Sequence, residues 1–335
     1  MNMKTLHSLR FGILALLSIL IVSCKDKDTS ALLPGVTGAA FDVLVVGSPK
    51  IWKSPDGKVL FDILNQNMPG LPQSEPMFNI SFTSDKDFSS ILRPVRNIII
   101  FEIDEGIYTQ GRISYARNKW SKPQAVVTIT APNVEEFDRI ITEKQDEFIA
   151  FFEAAERNRA HSYFTRYSNK DGVKLVKELF GVQMIIPSTL NKSKTGTDFI
   201  WFSNASYDLR QDIIVYRHPY RGPEDFNLEN LLQRRDSVLK ANIEGPSPNS
   251  YMTTEHRFNV THKAMIVNGV YSVILRGLWR VEGDLMGGPF VSKSYWDKNR
   301  NEIITVEGFM YAPSHKKRNH LRQLESVIHS LEFPQ

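Results

Sequence analysis

Cys24 is the only cysteine in the 335-residue chain, and it stands just after an apolar run, Phe11 to Val22, that follows Lys4 and Arg10. One thiol cannot close an internal disulfide, so whatever folds beyond it must be held by its own core. A basic start, about a dozen apolar residues and the small Ser23 before the cysteine have the layout of an export signal. The run is shorter than the roughly 20 residues a membrane-spanning helix needs.

The segment Leu20-Ile21-Val22-Ser23-Cys24 resembles the bacterial lipobox, in which the thiol is alkylated by a lipid and the preceding peptide bond is cut. The resemblance implies a signal peptide over 1–23 and an acylated Cys24, palmitate included, followed by a linker to residue 40. It predicts an exported lipoprotein anchored in the cell envelope, at the outer membrane. Each buried methylene contributes about 0.8 kcal/mol, so two or three chains make a durable anchor. Lys25-Asp26-Lys27-Asp28 resembles the export tethers of surface lipoproteins in Bacteroidota and reads equally as a solvated linker, so both membrane faces stay open.

Removing the leader takes away Lys4 and Arg10 and no acid, leaving 39 basic residues against 37 acidic ones. With its only basic cluster at His315-Lys316-Lys317-Arg318, the chain lacks the footprint of a nucleic-acid binder. The expected partners are the membrane, through the anchor, and a protein or glycan of the envelope.

Hydrophobic periodicity divides the remaining chain into two domains, 41–168 and 169–335. In the first, strands are predicted at 41–47, 77–82, 97–103 and 124–130, with helices over 57–67 and from Val134 to about Tyr163. Asn133 is placed to cap the second helix, with Glu136 completing a capping box. In the second domain a helix over 173–180 ends at Gly181, and strands follow at 182–187, 199–203, 212–217, 257–262, 271–278 and 301–310. A helix containing Leu228, Leu231, Leu232, Val238 and Leu239 lies among them, and one containing Leu321, Leu324, Val327, Ile328 and Leu331 closes the chain.

Phe78-Asn79-Ile80 answers to Phe258-Asn259-Val260, Trp120 to Trp296, and Ala131-Pro132 to Ala312-Pro313, all in the same order. The fold class expected from this pattern is α+β, with two similar units, each an antiparallel sheet with helices on one face. The element order of the second half is similar to that of the PsbP/Mog fold.

Catalytic signatures are absent: there is no Gly-x-Ser-x-Gly, Gly-x-x-x-x-Gly-Lys, Gly-x-Gly-x-x-Gly or His-Glu-x-x-His, and no cofactor is expected. His218, His256 and His262 sit in separate segments and His315 and His320 are five apart, which predicts no metal site. Arg276, Trp279 and Phe290 stand beside glycines in Leu-Arg-Gly-Leu-Trp and Met-Gly-Gly-Pro-Phe and are the candidate ligand-binding residues. The expected function is a non-enzymatic binding or assembly factor. The alternative is an envelope hydrolase using Asp104, Glu105, Glu282 and Asp284, brought together at the junction of the domains.

Leu71-Pro-Gln-Ser-Glu-Pro-Met-Phe78, Arg96-Asn-Ile98, Arg276-Gly-Leu-Trp279, Met286-Gly-Gly-Pro-Phe290 and Tyr311-Ala-Pro313 with Leu321-Arg-Gln-Leu-Glu325 resemble an uncharacterised family of Bacteroidota lipoproteins, domain of unknown function 4837. The resemblance implies an exported lipoprotein and brings no activity, ligand or catalytic residue with it.

Overall fold

The computed structural model describes residues 32–267 and 269–334, so Cys24 and the leader lie outside the described residues. The chain forms two sheets. The first contains β1 (Asp42–Gly47), β2 (Asn79–Ser84), β3 (Asn97–Ile103), β4 (Arg112–Arg117) and β5 (Ala125–Ala131), in the order β2-β1-β3-β5-β4. β2, β1, β3 and β5 are parallel, and only β4 pairs antiparallel. Its helices are α1 (Pro49–Trp52), α2 (Pro55–Leu64), α3 (Val134–Glu143) and α4 (Gln145–Arg166).

Helices α2, α3 and α4 cover one face of this sheet, packing on Val43, Val45, Ile99 and Val127. Loop residues Phe88, Leu92, Val95 and Trp120 cover Leu44, Val46, Ile98 and Val126 on the other. Strands buried on both faces read as continuous apolar runs, as these do. Asn133 accepts the Glu136 N–H at 2.9 Å, as the capping pattern predicts. The Glu136 carboxylate goes instead to Gly111 N–H and Arg139. The single helix expected from Val134 to Tyr163 is two, broken at Lys144.

The second sheet is antiparallel and has eight strands: β6 (Lys192–Gly196), β7 (Phe199–Ser203), β8 (Arg210–Pro219), β9 (Tyr251–Thr254), β10 (Thr261–Val267), β11 (Val270–Glu282), β12 (Gly287–Asp297) and β13 (Glu302–Tyr311). The order is β10-β11-β12-β13-β8-β7-β6, with β9 pairing the far end of β11. Helices α5 (Lys170–Phe180) and α7 (Arg318–Ile328) pack on one face. Helix α6 (Leu228–Asn242) packs on the other.

The class is therefore α+β, but the two units are not alike, which corrects the expected repeat of antiparallel sheets with helices on one face. The first sheet is largely parallel, and the second carries helices on both faces. Phe78-Asn-Ile leads into a parallel edge strand, whereas Phe258-Asn-Val lies in a turn ahead of β10. Pro132 is followed at once by a helix cap, while four residues separate Pro313 from the start of α7. Shared turn chemistry produced the likeness. Residues 182–187 and 257–260 form no strand, and Gly287 to Phe290 open β12, a strand that the apolar pattern does not predict.

Beneath α6, Arg235 and Glu307 form a fully buried bidentate pair at 2.8 and 2.7 Å, with Arg235 also donating to Thr254 at 2.7 Å. The guanidinium lies 3.7 Å from the Phe290 ring centroid. Burial pushes the Glu307 carboxyl up against the opposing pull of Arg235.

The two halves are joined by more than the chain. The segment 66–77 leaves the first domain and inserts Met68 into the core of the second. Helix α7 has no cap of its own and no acid in its first turn. Glu75 supplies one, accepting the Lys317 and Arg318 N–H groups at 2.6 and 3.1 Å.

Candidate functional site

On α7, Leu321, Leu324 and Ile328 turn into the second core. Arg322, Glu325, Ser326 and His329 are spaced i, i+3, i+4 and i+7 and form a separate stripe. Asp146, Ile149, Glu153, Arg157 and His161 form a facing stripe on α4. Lys263 and Met265 from β10 and Ile274 and Arg276 from β11 make the floor, because alternate strand residues share a face. These walls enclose a groove of about 840 Å³ at the domain junction. A second lobe of about 450 Å³ opens towards Phe41, Arg96 and Tyr163 and shares Glu153, Arg157, Arg322, Glu325 and Ser326 with the first.

Of the three acids lining this groove, Asp146 has no ion pair among the described residues, and Glu153 and Glu325 are engaged. Glu325, almost wholly buried, pairs with Arg276 and lies 3.4 Å from Arg322. Arg322 also holds Glu153 at 2.5 Å. Burial would raise the Glu325 carboxyl, but Arg276 and Arg322 outweigh it and hold the group well below the usual carboxylate range.

The bases are in surplus. Arg157 and Lys263 form no ion pair or hydrogen bond among the described residues. Nη1 of Arg276 and Nε of Arg322 are buried without a partner among the described residues. Under the groove, Lys293 is paired across the sheet with Ile274 and is 3% exposed. Its Nζ lies 3.5 Å from His329 Nδ1 and 4.5 Å from the Tyr295 ring, and it forms no ion pair among the described residues. Burial, assisted by Arg157, brings this lysine down to about 8. Burial and Lys293 lower His329 to about 3, so its ring is neutral at pH 7.

Of the residues singled out in the sequence, only Arg276 reaches the groove. Trp279 and Phe290 lie on the opposite face of the sheet, in the core beneath α6. The Trp279 indole donates to Met310 C=O at 3.2 Å, and Phe290 lies under Arg235. Their glycine neighbours serve close packing: a Cβ on Gly288 would sit 2.1 Å from the Met310 oxygen. The four carboxylates considered for hydrolysis do not line either lobe. Asp104 receives the Gly106 N–H, Glu282 pairs with Arg280, and Asp284 accepts from Ser247 and Met286. Among the described residues no three His, Cys, Asp or Glu side chains are grouped to hold a metal.

Reasoning from sequence missed Arg157, Lys293, Arg322, Glu325 and His329. The α7 stripe was available in its i, i+3, i+4, i+7 spacing, and Lys293 in its alternation with Val291 and Tyr295.

The architecture is a two-domain α+β protein with a basic groove at its junction. Residues 169–330 match the model of the domain of unknown function DUF4837, and residues 36–165 match that of a second, DUF8532. No curated protein shows significant similarity to the chain.

Proposed function

We propose that the protein is an exported lipoprotein, cleaved before Cys24 and acylated on it, that acts as a non-enzymatic binding factor in the envelope of a Bacteroidota cell, at the outer membrane. The junction groove is its ligand site, and the ligand is an envelope protein or glycan that presents an anionic group. The observation that carries this reading is the imbalance of charge in the groove. Glu153 and Glu325 are engaged, while Arg157, Lys263 and an Nη of Arg276 are free to take an anion. Leaving the buried Arg276 Nη1 unmatched costs about 1–3 kcal/mol, which an incoming carboxylate or phosphate recovers, while Arg157 and Lys263 attract it by charge.

The anchor is tested by labelling cells with radioactive palmitate. The wild-type chain takes up label and Cys24→Ala does not; equal labelling of both ends the lipoprotein reading. For the groove, the purified chain is titrated with acidic glycans and acidic peptides, with neutral counterparts as controls. Wild type retains an acidic member and loses it when Arg157 and Lys263 are both changed to Glu. Retention by that variant removes the groove from the proposal.

A further inference from the structure

On the other face of the second sheet, beyond the core under α6, lies a separate polar cleft of about 400 Å³. It forms where β8 ends. His218 projects from the strand, Arg221 comes from the loop that follows, and α6 contributes Asn230, Gln233, Arg234 and Ser237. Those four helix positions are spaced i, i+3, i+4 and i+7, so one stripe of α6 is given over to hydrogen-bond donors. The inward stripe, with Leu231, Arg235 and Leu239, fills the core beside it.

Three observations make this cleft a site. First, the only acid lining it, Asp225, already accepts the Arg221 backbone N–H at 2.7 Å, and neither Arg221 nor Arg234 has an ion pair among the described residues. Second, His218 is 9% exposed, and its buried Nδ1 has no hydrogen-bond partner among the described residues. Third, Ser237 and Gln233 bring further donors that are not committed among the described residues. The buried ring nitrogen is costly to leave without a partner, and the exposed Arg221 and Arg234 place positive charge beside it that an anion would complete.

We propose that the His218–Arg221–Arg234 cleft binds a tetrahedral oxyanion, a phosphate or sulfate group on a small molecule or on a lipid headgroup. Two guanidinium groups supply planar pairs of N–H donors suited to such an ion. The imidazole and the Ser237 hydroxyl complete the shell. The cleft holds the ion and a few atoms of whatever carries it. This reading is independent of the junction groove, which lies across the sheet.

The charged and titratable groups facing His218 are Arg221 and Arg234, which oppose its protonation, and Asp225, which favours it. Burial is the larger influence, and together these bring the free imidazole down to about 4. A bound dianion shifts that balance upward, so binding and protonation reinforce each other.

The test is equilibrium dialysis of the full chain, in neutral detergent, against radiolabelled sulfate, whose charge is constant from pH 5 to pH 8. Saturable binding that tightens from pH 8 to pH 5 is expected. The exposed pair Arg221→Gln/Arg234→Gln should weaken it by at least about tenfold, equivalent to about 1.4 kcal/mol. His218→Gln should flatten the pH dependence. Circular dichroism checks that each variant is folded. Absence of saturable binding by wild type overturns the proposal. So does unchanged binding by the double arginine variant, or loss only when Arg157 and Lys263 are replaced, which would place the sulfate in the junction groove. Competition then separates the sources: displacement by inorganic phosphate supports a soluble ligand, and displacement by short-chain phosphatidic acid alone supports a lipid headgroup.

Discussion

In the first sheet, β1, β3 and β5 bury Val43, Ile99 and Val127 against helices, and Asn97 is the one buried polar side chain its described strand residues contribute. In the second, β8, β12 and β13 carry Asp212, His218, Lys293 and Glu307 into the interior. Both sheets are covered on both faces, so coverage alone does not account for the contrast. A sheet stabilised by apolar packing tolerates small losses of volume. One threaded with charge depends on each partner being present, and it gains surfaces that discriminate between ligands.

The largest effect expected from this contrast is at Glu307. Changing it to Ala strands the Arg235 guanidinium in the core and should cost about 3–5 kcal/mol in urea unfolding. Ile129→Val, in the first sheet, should cost only about 0.5–1.5 kcal/mol. Equal losses would erase the distinction between the sheets.

Next is Glu325→Gln, which weakens the hold on Arg276 and Arg322 and should cost about 2–4 kcal/mol at pH 7. Glu325 has a lowered pKa in the folded protein. Its stabilisation is therefore complete above the unfolded carboxyl value near 4.5 and is lost as pH falls below it. Unfolding curves collected from pH 7 to pH 3 should show the gap between wild type and variant constant above about pH 4.5 and narrowing below it.

Lys293→Met works in the other direction. The lysine falls from 10.5 to about 8 in the fold, so between those values the unfolded chain binds more protons and wild-type stability rises with pH. The Met variant should be more stable by about 1–3 kcal/mol at pH 7, with the gap closing towards pH 10.5. A variant less stable than wild type would show that Lys293 is satisfied as it stands.

The smallest effect on stability is expected at Arg157. Arg157→Gln should change unfolding by no more than about 0.5 kcal/mol while weakening retention of an acidic ligand. A large loss of stability would assign Arg157 to the packing of α4 instead.

The sequence made most elements of both sheets legible, because long apolar runs such as Asn97–Ile103 and Phe199–Ser203 leave few alternatives. Pairing direction was not legible, since a run buried on both faces looks much the same parallel or antiparallel. β4 and β6 were missed because edge strands such as Arg112–Arg117 and Lys192–Gly196 are polar and exposed. β12 was hidden by Gly287-Gly288-Pro289, which has the chemistry of a turn but opens a strand. At the candidate site Arg276 was legible from its setting among glycines. Arg157 and Arg322 were not, because their meeting depends on α4 of one domain lying against α7 of the other.

Helix α7 begins on a carboxylate borrowed from Glu75, 242 positions earlier in the chain. A chain severed between Arg166 and Lys170 would give two fragments that are each deficient, one missing its final helix cap and the other holding a cap with nothing to cover. Mixed together, such fragments should reassociate and restore the fold. For inheritance this means that the two modules form one unit: neither could be shuffled onto a new neighbour without leaving behind a piece of the other.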